Sequence, residues 1–395
     1  MARKSTLSPS ALHIADTLEN RIRAGVYLSG QWLPAEREIA QEFGVSRIVV
    51  RAAIHELEKR RLLVRSAKCR PIVQTPASTT PSPSSTATRR FNIGLWLWPT
   101  PGDPAYAMIV RGIRKSLDEA HFRLITETPV EPDWPSIRRA ERLFLQRMLE
   151  DRDIAGIILW YLGGTENIAA LQQVREAGIP MVFIDRRPPE GFDADYVGVD
   201  NIHAAENIVR HLLSRGHRVI AHISNLDTAS TVEERHQGYR RALELAGIPY
   251  RPELVCRDPG SPEDNPSEGL LPLIRSLLQR PDPPTAFFAV NDLVAQRTHS
   301  ALRKLGVCVP DDVALAGFDG TERWSPHGCT LTTANQPFES MGTRAVEVLL
   351  RRMKVGSDRT WQHVLLEAPL AIYQSTSTVP TKRRFNIPSD KERSE

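Results

Sequence analysis

The sequence predicts an α/β protein: a two-lobed, doubly wound body preceded by a small, basic helix–turn–helix domain. Short apolar runs alternate with amphipathic stretches from residue 91 to residue 375. Basic residues cluster in the first 75 positions. Between the two regions, residues 75–88 (TPASTTPSPSSTAT) consist only of Thr, Pro, Ala and Ser.

Such a segment has nothing to bury and cannot build a core. A flexible tether of this length spans roughly 20 Å end to end. It marks the clearest domain boundary in a chain of 395 residues, a length that suits two or three domains. The expected division is a front domain over 1–74, a linker over 75–90, a two-lobed body over 91–375, and a disordered polar tail over 376–395. Within the body, lobe 1 is expected at about 91–197 and 332–357, and lobe 2 at about 198–331 and 358–375. The pentapeptide RRFNI occurs at 89–93 and again at 383–387, but only the first copy runs on into an apolar strand.

Residues 1–75 hold 13 Lys+Arg against 7 Asp+Glu, a net +6, whereas the remainder carries a net −2. This asymmetry points the front end alone toward a polyanion. The four cysteines (Cys69, Cys256, Cys308, Cys329) form no CxxC pair, so neither a disulfide framework nor a metal site is expected. The opening MARKSTLSPS has no apolar core, and no run approaches the ~18–20 apolar residues of a membrane span. A cytoplasmic chain with no membrane partner is expected.

In the front domain, Ile14, Leu18 and Ile22 recur at i+4 and predict a first helix over 8–25. LPAEREIAQEFGVSR (33–47) reads as helix, turn, helix, with Gly44 at the turn and Ser46 as the cap of the next helix. On that helix Arg47, Arg51 and His55 share one face, and Val50, Ala53 and Leu57 the other. A helix apolar on one side and cationic on the other suits the major groove. Strands near 62–65 and 71–74, with Arg65, Lys68 and Arg70 between them, predict a wing.

In the body, apolar runs at 91–98, 154–160, 180–184, 218–223, 285–290 and 313–318 read as buried parallel strands. Helices are expected at 107–120, 136–150, 203–215, 233–246 and 292–305. Gly178, Gly216, Gly247 and Gly306 stand where helix ends take a left-handed residue. This repetition makes a doubly wound sheet, and about 285 residues imply two lobes. Ligands bind such sheets at the carboxyl ends of the strands. The polar residues expected there are Asp103, Asp185, Arg235, Asn291 and Asp319, with Asp292 read as a helix cap. These residues pair acceptors with donors, as a ligand with adjacent hydroxyls needs, and Trp160 or Tyr161 offers an aromatic face for a C–H side. Trp96 reads as core.

Residues 25–73 resemble the GntR-type winged helix: LPAEREIA, GVSR and VVRAAIHELEKRRLLV follow its signature. The resemblance implies that Arg37, Arg47 and Arg51 touch DNA, Arg37 at phosphate and the others at phosphate or guanine edges. Ser46, Val49, Lys68 and Arg70 complete the DNA-facing set. Ala35 stands where the family has Ser, which removes a helix cap, and AKCRP (67–71) replaces the glycine-rich wing tip.

Residues 92–375 resemble the LacI-type effector domain, related to periplasmic sugar-binding proteins. The shared motifs include AGIPMVFIDRR (177–187), VGVDN (197–201), HLLSRGHRVIAHIS (211–224), ERHQGYRRALELAG (234–247), FFAVNDLVAQ (287–296), LGVCVPDDVALAGFDG (305–320) and LTTANQP (331–337). A GntR-type head on such a body matches the AraR-like subgroup. By that resemblance Asp185, Arg235, Asn291 and Asp319 contact ligand, joined by Asp200, Thr231, Asp103 and Tyr106. Ala105 occupies a place where an aromatic is usual.

No GxSxG elbow or Walker loop is present, and His203 and His217 have no partner implied by sequence, so no enzyme and no cofactor is expected. The expectation is a homodimeric repressor of sugar uptake or catabolism genes. It would bind a palindromic operator in double-stranded DNA and be controlled by a sugar-like effector. The resemblance also allows a purine-like effector, or one that promotes DNA binding.

Overall fold

The computed structural model describes residues 8–23, 27, 33–60, 62–64, 71–73, 90–98, 103–119, 121–128, 133–226, 229–260, 267–321, 330–355 and 360–377. The Ser/Thr/Pro segment, the residues Arg65, Lys68 and Arg70, and the second RRFNI copy lie outside them. The chain divides into two compact units, Met1–Ala87 and Thr88–Glu395.

The first unit contains α1 (Pro9–Arg23), α2 (Glu36–Glu42) and α3 (Arg47–Lys59), followed by β1 (Leu63–Val64) and β2 (Ile72–Val73). The i+4 stripe of α1 buries Ile14 and Leu18 fully against Ile39 of α2 and Val50, Ala53, Ile54 and Leu57 of α3, while Ile22 packs at the edge. Each fully buried Leu or Ile contributes roughly 1.5–3 kcal/mol. The α2–α3 turn needs Gly44, which sits at φ +64°, a conformation that strains other residues. Arg60, just past α3, donates to Asp16 (2.6 Å) and Glu19 (2.8 Å) and so ties α3 to α1. The strands β1 and β2 pair antiparallel, Leu63 opposite Val73.

Two expectations about helix caps change. Ser46 does occupy the N-cap of α3, but its side chain makes no capping bond and is exposed. At Ala35 the cap is not wholly lost, because the Glu38 carboxylate accepts the Ala35 N–H at 2.8 Å, the other half of a capping box.

The second unit holds two six-stranded sheets. In chain order its elements are β3 (Phe91–Trp96), α4 (Pro104–Ser116), β4 (Phe122–Glu127), α5 (Trp134–Glu150), β5 (Ile154–Leu159), α6 (Ile168–Glu176), β6 (Met181–Ile184) and β7 (Asp195–Val199). There follow α7 (Asn201–Ser214), β8 (Ile220–Asn225), α8 (Ser230–Leu245), β9 (Val255–Asp258), α9 (Leu271–Leu278), β10 (Ala286–Ala289), α10 (Asp292–Lys304) and β11 (Ala314–Asp319). The chain ends through β12 (Thr332–Asn335), α11 (Phe338–Val355), β13 (His363–Leu366) and β14 (Leu370–Ala371). One sheet runs β13-β7-β6-β5-β3-β4, all parallel. The other runs β14-β12-β11-β10-β8-β9, parallel except for β14.

The partition of the late segments differs from expectation. Residues 332–335 extend the second sheet beside β11 rather than lobe 1, and residues 363–366 extend the first sheet beside β7 rather than lobe 2. The helix α11 does lie against the first sheet's layer, its Gly342 approaching α4 so closely that a Cβ would stand 2.2 Å from the Ile109 carbonyl. The strand β12 is rich in Thr, which apolarity alone does not flag as core. Its buried hydroxyls are satisfied: Thr333 donates to Asp292 (2.7 Å) and Thr332 to the Tyr373 carbonyl (3.1 Å). Thr376 is likewise not tail but core. It is 1% exposed and hydrogen bonded to Thr332 and His211, each at 2.8 Å.

A bidentate ion pair from Arg352 of α11 to Asp195 of β7, 2.7 Å at each arm, also receives the Gln362 N–H at 2.8 Å before β13. His217 is buried with its Nδ1 3.0 Å from the Thr285 hydroxyl, and burial lowers its pKa to about 4. Trp96 is core, packed on Phe144. Among the described residues no helix is long and apolar enough to cross a membrane.

Candidate functional site

The strand orders create two topological switch points. In the first sheet β3 leads to β4 on one side and is flanked by β5 on the other; in the second, β8 stands between β9 and β10. Open α/β sheets bind ligands outside the strand carboxyl ends at such points, where the flanking loops part. A cavity of about 430 Å³ lies there. Trp98 and Asp103 after β3, Trp160 after β5, and Asp185 and Arg186 after β6 line it from the first sheet. Asn225 ending β8, Thr231 and Arg235 of α8, Val290 and Asn291 after β10, and Asp319 ending β11 line it from the second. Gln336 and Phe338, where the chain crosses between the sheets, complete the wall.

The side chain of Arg235 is buried and fixed. Its Nε donates to Asn201 Oδ1 (3.0 Å), its Nη1 donates to the Val290 carbonyl (2.8 Å) and pairs with Asp319 (3.2 Å), and its guanidinium stacks 3.7 Å over Phe318. Gln336 donates to the same Asp319 oxygen at 2.8 Å. Asp185 (φ +62°) and Asp319 (φ +113°) are the two non-glycine residues in the left-handed region among those described. Such backbone costs about 1–3 kcal/mol and persists only where neighbours impose it. At Asp185 they do: its N–H donates to the Val197 carbonyl (2.9 Å) and its carbonyl accepts from the Tyr196 hydroxyl (2.8 Å). Burial pushes the Asp185 carboxyl up to about 6, against the pull of the Arg235 and Arg186 guanidiniums. Burial raises Asp319 as well, against Arg235 and the Gln336 amide. Trp160 stacks on Phe338 (centroids 6.5 Å, planes 23° apart), so an aromatic wall stands near Ala105 without an aromatic at that position.

Seven of the nine expected ligand residues line the cavity: Asp103, Trp160, Asp185, Thr231, Arg235, Asn291 and Asp319. Two do not. Asp200 is exposed and caps α7 by accepting the His203 N–H at 2.9 Å. Tyr106 packs half-buried on the core, where burial raises its phenol pKa. Tyr161 points into the opposite core layer and donates to the Gly164 carbonyl (2.7 Å). The cap of α10 is Asn291, accepting the Val294 N–H at 2.8 Å, and not Asp292. The fully buried Asp292 carboxylate instead accepts from the Thr321 N–H (3.0 Å) and the Thr333 hydroxyl. Sequence reasoning missed Gln336 and Phe338, which follow an unrecognised strand. It also missed Asn201, whose neighbour Asp200 drew the assignment.

On α3, Arg47, Arg51 and His55 are all exposed on one face, opposite the buried Val50, Ala53 and Leu57. Arg37 of α2 is exposed too. Arg51, 62% exposed, pairs with Glu36 at 2.8 Å, a surface contact worth at most ~1 kcal/mol that a phosphate can displace. Val49 is half-buried against the core, whereas Ile48 is 77% exposed on the helix's first turn. An apolar residue outside the buried i+3/i+4 stripe was the signal for Ile48.

A small helical unit with an exposed cationic helix, and a body of two doubly wound sheets facing one polar cavity, define a DNA-binding head on a periplasmic-binding-protein-like sensor. The gntR family of bacterial regulatory proteins matches residues 10–68, and the periplasmic binding protein-like domain matches residues 209–376. The chain is 30% identical over 297 residues to the HTH-type transcriptional regulator DegA of Bacillus subtilis (strain 168), covering 74% of this chain and 83% of DegA. It is 26% identical over 381 residues to the arabinose metabolism transcriptional repressor of Geobacillus stearothermophilus, covering 95% and 100%. A solved transcriptional regulator CelR–cellobiose complex superimposes with a TM-score of 0.60 at 25% identity, covering 87% of this chain and 100% of that one. The chain belongs to the HTH-type transcriptional regulators that join a GntR-family DNA-binding domain to a periplasmic-binding-protein-like domain.

Proposed function

We propose that this regulator is a repressor whose hold on a palindromic operator is controlled by a sugar-like effector in the cavity between the two sheets. The observation that carries the proposal is the convergence of Asp103, Asp185, Arg235, Asn291 and Asp319 with the Trp160–Phe338 stack at both switch points. Adjacent hydroxyls bridge a carboxylate and an arginine, and the C–H face of a sugar lies on an aromatic ring. The arabinose repressor and the cellobiose complex among the relatives support the same ligand class.

In this proposal residues 1–74 form the DNA-binding domain, 75–90 the linker and 91–375 the sensor. Arg47 and Arg51 reach guanine edges or phosphates, Arg37 holds phosphate, and Ile48 offers an apolar contact to a thymine methyl. Lys68 and Arg70 serve the wing. The protein acts as a homodimer, its two heads on two half-sites. The effector shifts the equilibrium by binding one arrangement of the lobes better than the other. The test measures fluorescence anisotropy of a labelled operator, selected from random DNA, as sugars are titrated. A sugar that releases the operator supports the proposal; a sugar that binds the cavity tightly and leaves operator affinity unchanged refutes the control mechanism.

A further inference from the structure

We propose that the cavity admits the uncharged or cationic form of a polyhydroxylated effector and rejects its phosphate or carboxylate derivative. The regulator would then read a sugar before a phosphorylating or aldehyde-oxidising reaction has made it anionic. This rests on the proposal above that the effector is sugar-like.

An anion needs spare cations or spare backbone N–H groups, and here the protein's own acceptors already occupy much of that supply. Three carboxylates, Asp103, Asp185 and Asp319, line the wall against two guanidiniums, Arg186 and Arg235. Arg235 is committed to Asn201, the Val290 carbonyl and Asp319. Helix N-termini are the usual phosphate receptors; that of α8 opens on this cavity without a side-chain cap, but those of α4 and α10 are capped. Asp103 accepts the Ala105 N–H of α4 (2.7 Å), and Asn291 accepts the Val294 N–H of α10 (2.8 Å). The first turn of α10 further carries the buried Asp292 carboxylate.

Two of the atoms left over are acceptors. Asp185 Oδ1 and Gln336 Oε1 are buried and have no hydrogen-bond partner among the described residues. Buried acceptors without partners call for donors, which hydroxyl or ammonium groups supply. A phosphate brings acceptors and close to two negative charges instead. Donors face the cavity too, the indole Nε1 of Trp160 and the Arg186 guanidinium that lies over the Trp160 ring, but a neutral indole and one guanidinium beside three carboxylates do not offset a dianion. A desolvated like-charge contact is strongly penalised.

The experiment is calorimetric titration of the full chain with a panel of aldopentoses, aldohexoses and disaccharides. Each free sugar is run beside its terminal phosphate ester and, where one exists, its amino-deoxy analogue. The expected result is that the sugar that binds loses roughly a hundredfold in affinity on esterification, while its amino analogue binds at least as well. The Asp185→Asn variant should narrow the gap between sugar and ester to roughly tenfold. An ester that binds as tightly as its parent overturns this inference and leaves the sugar proposal standing. Absence of binding by every compound, free or esterified, overturns the sugar proposal and this inference with it. An unchanged gap in the variant overturns the electrostatic account.

Discussion

Replacing Asp185 by Asn should stabilise the ligand-free protein while removing an effector contact. The residue is 3% exposed, and burial pushes its carboxyl from an ordinary 3.8 up to about 6. A carboxyl whose folded pKa is raised favours the protonated form in the folded state. Its penalty on folding is therefore absent below the unfolded pKa, grows between about 4 and 6, and is complete above the folded pKa. A rise of about two units corresponds to about 3 kcal/mol at neutral pH. Asn removes the charge and keeps the shape, and it tolerates the left-handed φ of +62° as Asp does. For a unit of about 300 residues the gain corresponds to an upward shift on the order of 5 °C in Tm. Thermal melts of both proteins check this at about pH 7.5, where the full gain is expected, and at about pH 4.5, where about 1 kcal/mol should remain. A variant that melts lower than the parent at neutral pH, or a gain independent of pH, would refute the reasoning.

The Arg47→Ala variant should weaken operator binding by ~1–3 kcal/mol if the arginine reads a base, with sugar titrations unchanged; loss of both activities would show that the two units do not divide the work. In the cavity, Arg235→Ala removes the guanidinium that pairs with Asp319 and stacks on Phe318. Operator release by the effector should vanish while operator affinity in its absence persists, which anisotropy titrations check. The Asp195→Ala variant leaves Arg352 buried beside no carboxylate at that position, a change that costs about 3–5 kcal/mol. Urea unfolding measures it, and a loss below about 1 kcal/mol would mean that the surroundings rehydrate.

The sequence by itself determined the elements whose signals are local. Apolar runs of four to six residues located β3, β5, β6, β8, β10 and β11, because strands buried on both faces must be apolar throughout. The i+4 stripe of α1 and the opposed faces of α3 were equally legible, since a helix facing one core must alternate at its own period. The ends of apolar strands placed Asp185 and Asp319, and the residues after them placed Asn291 and Arg235.

Only the tertiary structure decided what depends on partners distant in the chain. Thr-rich β12 is a strand because its hydroxyls meet Asp292 and Tyr373, which lie about 40 residues away on either side. Asp200 and Asn201 are adjacent in sequence, yet one caps a helix in solvent and the other holds Arg235. The left-handed backbone at Asp185 and Asp319 is imposed by neighbouring strands and crossings, not by their own preference. Asn291 rather than Asp292 takes the cap of α10, because Thr333 and Thr321 offer Asp292 its hydrogen bonds inside the protein. Periodicity records which side of an element is buried. It carries no record of what waits on that side, and the polar partners that give each buried carboxylate its role are assembled only when the two sheets close on one cavity.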